Sequence, residues 1–210
     1  MEHVKQILQE QSQDNTLNPK IYEPEEISDE KRRALNLEAL GVNDLTHTFA
    51  NLRIPPKFEG VLRAFKSMID CEKPLLLVYG GTGNAKSWCC EALVMALYDK
   101  GLKTKRDRWS DIVRHLKELM GGKGGYEAYF NEYRARQRLI IDDVGSGSTL
   151  GTWEWGELED IIDYRWEKRL FTVITSNLDG KQIPPRILSR FKDKSRARMI
   201  LNEVPDQRGI

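Results

Sequence analysis

The stretch 80-GGTGNAKS-87 meets all but one of the demands of a phosphate-binding loop. In the pattern G-x-x-x-x-G-K-[ST], backbone N–H groups wrap the phosphates, the lysine neutralises the β/γ oxygens and the hydroxyl binds Mg²⁺. Gly80, Gly81, Gly83, Lys86 and Ser87 supply these groups, with Thr82 and Asn84 between them. Ala85 stands where the pattern has glycine. If that position needs a positive φ, a Cβ costs about 1–2 kcal/mol, and its methyl is expected to press on the phosphates. The loop is therefore either a working ATP and Mg²⁺ site or the relic of one.

The surroundings argue for a working site. The apolar run PLLLVYG ends in the loop as a buried strand would, and KSWCCEALVMALYDKG follows with helical periodicity up to Gly101. Further along, LKTKRDRW reads as a strand, SDIVRHLKELM as a helix capped by Ser110, RLIIDDVG as a buried strand, EWGELEDIIDYRWEKR as a helix and LFTVITSNL as another strand. A basic helix at PPRILSRFKD and a strand at RARMILN complete the series. Strands alternating with helices predict an α/β fold, a parallel sheet covered on both faces.

In such sheets ligands bind at the carboxyl ends of the strands. RLIIDDVG puts Asp142 and Asp143 at one of those ends, a Walker B arrangement in which Asp142, with Ser87, would hold Mg²⁺ and Asp143 would orient or deprotonate the attacking water. TVITSNL ends another strand in Thr175, Ser176 and Asn177, and Asn177 is placed to position the same water.

The order THTFANL, GGTGNAKS, RLIIDDVG, DYRWEKRLFTVITSNL, PPRILSRF and VPDQR, spanning about Asp44 to Arg208, resembles the AAA+ ATPases of the DnaC type, the bacterial and phage helicase loaders, together with the transposition helper IstB. The resemblance implies a P-loop NTPase of AAA+ RecA-like fold, with Asn177 as sensor 1, Arg190 as an arginine finger offered to a neighbouring subunit and Arg208 as a sensor-2-like arginine. It also implies ATP hydrolysis, a replicative DnaB-like helicase and single-stranded DNA as partners, and head-to-tail self-association. The MoxR type of AAA+ protein is similar in having Ala-Lys-Ser, which makes Ala85 compatible with a working loop. The chain ends soon after VPDQRGI, so a full helical lid is not expected. Two other readings stand beside the loader: an IstB-like regulator of transposition, and a nucleotide-free adaptor whose loop has decayed.

Over its 210 residues the chain has 33 Lys and Arg against 32 Asp and Glu, unevenly spread. Acidic residues lie early, and Lys181, Arg186, Arg190, Lys192, Lys194, Arg196 and Arg198 crowd the later part, which suggests either an anionic partner or a solvated face. Residues 1–43 read as a polar, partly helical arm and residues 44–210 as the ATPase domain. No signal peptide or membrane-length apolar run is evident, so a cytoplasmic protein is expected. Its three cysteines, Cys71, Cys89 and Cys90, are expected to be reduced core residues. Candidate DNA contacts are Lys103, Lys105, Arg106, Arg108, Arg114, Lys117 and Lys123. Tyr126, Tyr129, Phe130 and Tyr133 are either base-stacking platforms or the apolar face of a helix, and Trp153 and Trp155 belong to the core or to a partner patch.

Overall fold

The computed structural model describes residues 27–53, 55–122, 124–146 and 150–207. In chain order these form helix α1 (Asp29–Ala39), a 3-10 turn (Pro56–Phe58) leading into α2 (Glu59–Ser67), β1 (Leu75–Tyr79), α3 (Lys86–Asp99), β2 (Lys105–Arg108), α4 (Trp109–Met120), α5 (Tyr126–Ala135), β3 (Arg138–Val144), α6 (Thr152–Glu167), β4 (Phe171–Ser176), α7 (Pro185–Lys192) and β5 (Ala197–Leu201).

The strands form one parallel sheet in the order β2-β3-β4-β1-β5. Leu75 and Leu77 point to one face and Leu76 and Val78 to the other, so the run LLLV is apolar throughout because both faces are covered. α2, α3 and Leu37 of α1 bury one face, through Phe58, Phe65, Cys90 and Leu93. α4 to α7 bury the other, through Trp109, Leu116, Phe130, Ile161 and Phe191.

Several expectations change at this level. Ser110 does not cap α4, which starts one residue earlier at Trp109 with Arg108 as its N-cap and no side-chain cap bond. Cys71 is exposed, while Cys89 and Cys90 are buried and all three are free. Phe130 and Tyr133 are buried in the core, with Tyr126, Tyr129, Trp153 and Trp155 packed against it, so these aromatics are helix faces and not open platforms. By packing, the chain divides into Met1–Arg32 and Arg33–Ile210, not at Asp44. Residues from Arg33 onward belong to the larger unit, where Leu37 is fully buried and the Leu40 carbonyl accepts the Arg106 N–H at 2.8 Å. Of the smaller unit only residues 27–32 are described, and there the Ser28 hydroxyl oxygen accepts the Lys31 N–H at 3.3 Å.

One buried cation holds the far end of the sheet. Arg165 of α6 is wholly buried and donates to the carbonyls of Tyr133 (2.9 Å), Arg136 (2.7 Å) and Phe171 (2.6 Å) and to the Thr172 hydroxyl (2.9 Å). It thereby ties α5 and α6 to the starts of β3 and β4. Arg165→Ala would orphan these acceptors away from water, and is expected to cost about 3–5 kcal/mol. Urea unfolding followed by circular dichroism checks this; a loss below about 1 kcal/mol would show that water replaces the guanidinium.

Candidate nucleotide-binding site

The loop between β1 and α3 turns through three left-handed residues. Gly80 has φ +124°, Gly83 φ +67° and Ala85 φ +64°. Ala85 therefore does occupy the conformation that favours glycine, but its methyl packs against the core around α3 and not into the loop. Gly83 has no such freedom: a methyl there would fall 1.7 Å from a carboxylate oxygen of Asp206. At Gly80 it would fall 2.4 Å from the carbonyl of Asn202.

Lys86 is buried and turned inward. Its Nζ donates to the carbonyls of Gly80 (2.7 Å) and Gly81 (2.5 Å) and to Asn84 Oδ1 (2.8 Å). These oxygens surround the ammonium in place of phosphate oxygens. The segment after β5 lies against the same loop: Asn202 Nδ2 donates to the Asn84 carbonyl at 2.9 Å, and the Gln207 N–H donates to the Gly83 carbonyl at 2.8 Å. Thr82 and Ser87 are exposed, and Ser87 opens α3 next to Lys86.

Beside the loop, the tips of β3 and β4 are stitched together. Thr175 accepts the Asp143 N–H at 2.9 Å and donates its own proton to Asp142 Oδ1, while Ser176 Oγ donates to the Val144 carbonyl at 2.8 Å. The β3–β4 register shifts between Ile141 and Val144, and within that irregularity Asp143 adopts φ +64°. Such a conformation is uncommon for a residue with a Cβ and marks a position held by its surroundings. Asn177 Nδ2 donates to Asp143 Oδ1. The half-buried Asp143 lines one end of a cleft of about 540 Å³ walled by α4, by residues 145 and 146 and by the start of α6.

Asp142 is differently placed. It is fully buried, and its second oxygen accepts from Arg106 Nε (3.1 Å) and Nη2 (2.6 Å), while Cys90 Sγ lies 3.7 Å from the first. Burial works against the charge on Arg106, but Asp142, with Cys90 and Glu91, holds its pKa above the ordinary value. Arg106 is thus no DNA contact, contrary to the sequence expectation: only 4% of it is exposed. Burial and the neighbouring Asp142 also push the Cys90 thiol far up.

The family model described as "IstB-like ATP binding protein" matches residues 35–204. The chain belongs to this family. No curated protein sequence matches it. Among solved structures, the DnaC helicase loader superposes with a TM-score of 0.64 at 19% identity, covering 75% of this chain and 97% of that one. The DnaI structure gives 0.63 at 17% identity, covering 80% and 93%. DnaA from Aquifex aeolicus bound to AMPPCP gives 0.64 at 17% identity; this chain spans 50% of its length. These likenesses show the fold, that of the P-loop AAA+ neighbours, while the family model shows an IstB-like ATP-binding protein.

In this IstB-like domain the residues fit a nucleotide phosphate chain by their chemistry: a glycine-rich turn with left-handed residues at Gly80, Gly83 and Ala85, and a lysine and a hydroxyl at the start of a helix. No group of three or more His, Cys, Asp or Glu suited to a metal occurs among the described residues, so a divalent ion accompanying a nucleotide would have Ser87 and a strand-tip carboxylate as its protein donors. Ser87 and Asp142, the expected pair, are not joined by a hydrogen bond, one being exposed and the other buried.

The remaining candidates separate clearly. Arg190 Nε donates to Asp163 Oδ1 at 2.6 Å, and its guanidinium lies 4.5 Å over the Trp166 ring, where Arg196 also lies at 4.3 Å. Burial raises the Asp163 pKa, but the hydrogen bonds from Arg190 and Arg186 outweigh it and hold the carboxyl low. Lys105 donates to the Ala39 carbonyl at 3.0 Å and pairs with Asp107 at 3.2 Å. Arg114 and Lys117 are exposed on α4, paired with Asp111 and Glu154, and line the cleft together with Asp143. Lys103 and Arg108 are exposed; Arg208 and Lys123 lie outside the described residues. Glu91 carries no motif, Arg106 read only as a DNA contact, and Asp206 within VPDQR was given no role.

Two expectations follow for the loop. Ala85→Gly relieves the left-handed strain but loses a methyl contact and adds chain entropy, so stability is expected to change by less than about 1 kcal/mol. Nucleotide affinity should shift by less than about threefold, and a larger gain in a calorimetric titration would show that the methyl obstructs the phosphates. Asp206→Ala removes an anion from beside Gly83 and should tighten nucleotide binding by roughly tenfold. The same titration checks it, and unchanged affinity would mean that the carboxylate does not compete.

Proposed function

We propose that this protein is an ATP-hydrolysing AAA+ switch that loads or regulates a replicative helicase on single-stranded DNA. The observation that carries this is the half-exposed Asp143, held at the tip of β3 by Asn177 in the same parallel sheet whose β1 runs into the Lys86 loop. Asp143 is the carboxylate with access to solvent, and accepts the proton of the attacking water. Asn177 fixes that carboxylate and the water beside it. Lys86, released from the carbonyls of Gly80 and Gly81, neutralises the phosphates, and Ser87 binds the Mg²⁺ that accompanies ATP.

Head-to-tail assembly places Arg190 against a neighbour's γ-phosphate, for which it must first leave Asp163. Lys103, Arg108, Arg114 and Lys117 are the exposed cations available to a phosphate backbone. Support for the loader comes from the AAA+ fold shared with DnaC and DnaI across nearly the whole of those chains. The family description favours a second reading, an ATPase that regulates transposition on duplex DNA. Among the described residues no helix is long and apolar enough to cross a membrane.

Asp143→Asn should bind ATP as the native chain does while losing at least about a hundredfold in turnover, whereas Lys86→Ala should lose at least about tenfold in affinity. A coupled phosphate-release assay and a fluorescent-nucleotide titration measure the two effects. Full turnover by the Asn variant would remove Asp143 from the chemistry. ATP-dependent capture of a hexameric helicase supports the loader, and filaments on duplex DNA in electron micrographs support the transposition reading.

A further inference from the structure

β2 reads in sequence as a run of solvated charge, KRDR, yet one of its cations is turned inward to the Walker B aspartate. Arg106 sits between two buried carboxylates. Its Nε and Nη2 hold Asp142, while Nη1 donates to the Gly41 carbonyl at 2.6 Å and lies 3.1 Å from Glu91 Oε1. Glu91, itself 3% exposed, is further held by Asn43 Nδ2 (3.2 Å), the Asp44 N–H (3.2 Å) and His47 Nδ1 (2.9 Å). Every oxygen of Asp142 is therefore engaged by the chain itself, and the guanidinium it shares with Glu91 supplies positive charge where a metal ion would otherwise be the nearest cation.

We propose that Arg106 is a positioning residue that serves as the resident counter-cation of Asp142, so that the site holds its nucleotide with little dependence on magnesium. The inference rests on the nucleotide-site reading above. A buried carboxylate away from water needs a positive partner, and a fixed guanidinium meets that need whether or not nucleotide is bound. A divalent ion drawn toward the same oxygens, directly or through water, meets a like charge that cannot be deprotonated or diluted away. Arg106 thus weakens the metal's hold on Asp142 and leaves Ser87 and the phosphates as its main ligands. Its fork geometry also fixes the Asp142 carboxylate, through which Thr175 and the Asp143 backbone are aligned.

The test compares the affinity of the full chain for a fluorescent ADP in excess magnesium and in EDTA. The native chain is expected to differ by less than about fivefold between the two, and Arg106→Gln by at least about tenfold, because the freed Asp142 then has only the metal to neutralise it. Arg106→Lys, which keeps the charge, should behave as native. Mn²⁺ bound to the ADP complex, read by electron paramagnetic resonance, should show a midpoint at lower metal concentration in Arg106→Gln. The rise in melting temperature on adding magnesium with ADP should likewise be larger in that variant, which a merely structural arginine would not produce. A native chain that loses more than about a hundredfold in affinity in EDTA overturns the inference, even if Arg106→Gln fails to fold. Equal Mn²⁺ midpoints in the native chain and Arg106→Gln overturn it as well. A native chain that binds no ADP under either condition overturns the nucleotide-site reading, and this inference with it.

Discussion

The hydroxyl of Thr175 is the pin on which the site turns. It accepts the backbone N–H of Asp143 and gives its own proton to the Asp142 side chain, so one group on β4 fixes both the course of β3 and the direction of its acid. Without it the left-handed turn at Asp143 has no reason to persist, since a Cβ there carries a cost that the surroundings must outweigh. The two acids consequently face opposite sides of the sheet. Asp142 lies with Cys90 and Arg106 under α3, and Asp143 opens toward α4 and α6. A single Asp-Asp pair has been divided into a buried half and a half with access to solvent.

The parallel sheet was legible because its signals are local and mutually consistent. LLLVY, RLIIDDV and FTVITS are mainly apolar stretches of strand length, and the helices that alternate with them leave a parallel arrangement as the only economical one. That the loop, Asp143 and Asn177 lie at strand ends was legible for the same reason, since each follows or closes one of those apolar runs. Gly41 and Gly101 likewise stop the helices before them, each with a positive φ.

What escaped was burial of charge. Arg106, Arg165 and Glu91 carry the same letters as the solvated residues around them, and nothing in KRDRW or EDIIDYRW distinguishes an arginine that turns inward. Their partners are backbone carbonyls or acids far off in sequence, fixed only when the strands assemble. The same blindness hides Leu37, which looks like one apolar residue in a polar arm until the core supplies its neighbours. Asp206 was passed over because its meaning is wholly positional, lying against Gly83 from more than a hundred residues away.

Trp166 adds an optical property to the chemistry. Its indole face carries two guanidinium groups, from Arg190 and from Arg196. Charge over an indole alters its emission, so any displacement of either arginine from that ring is written into the protein's own light, without a label.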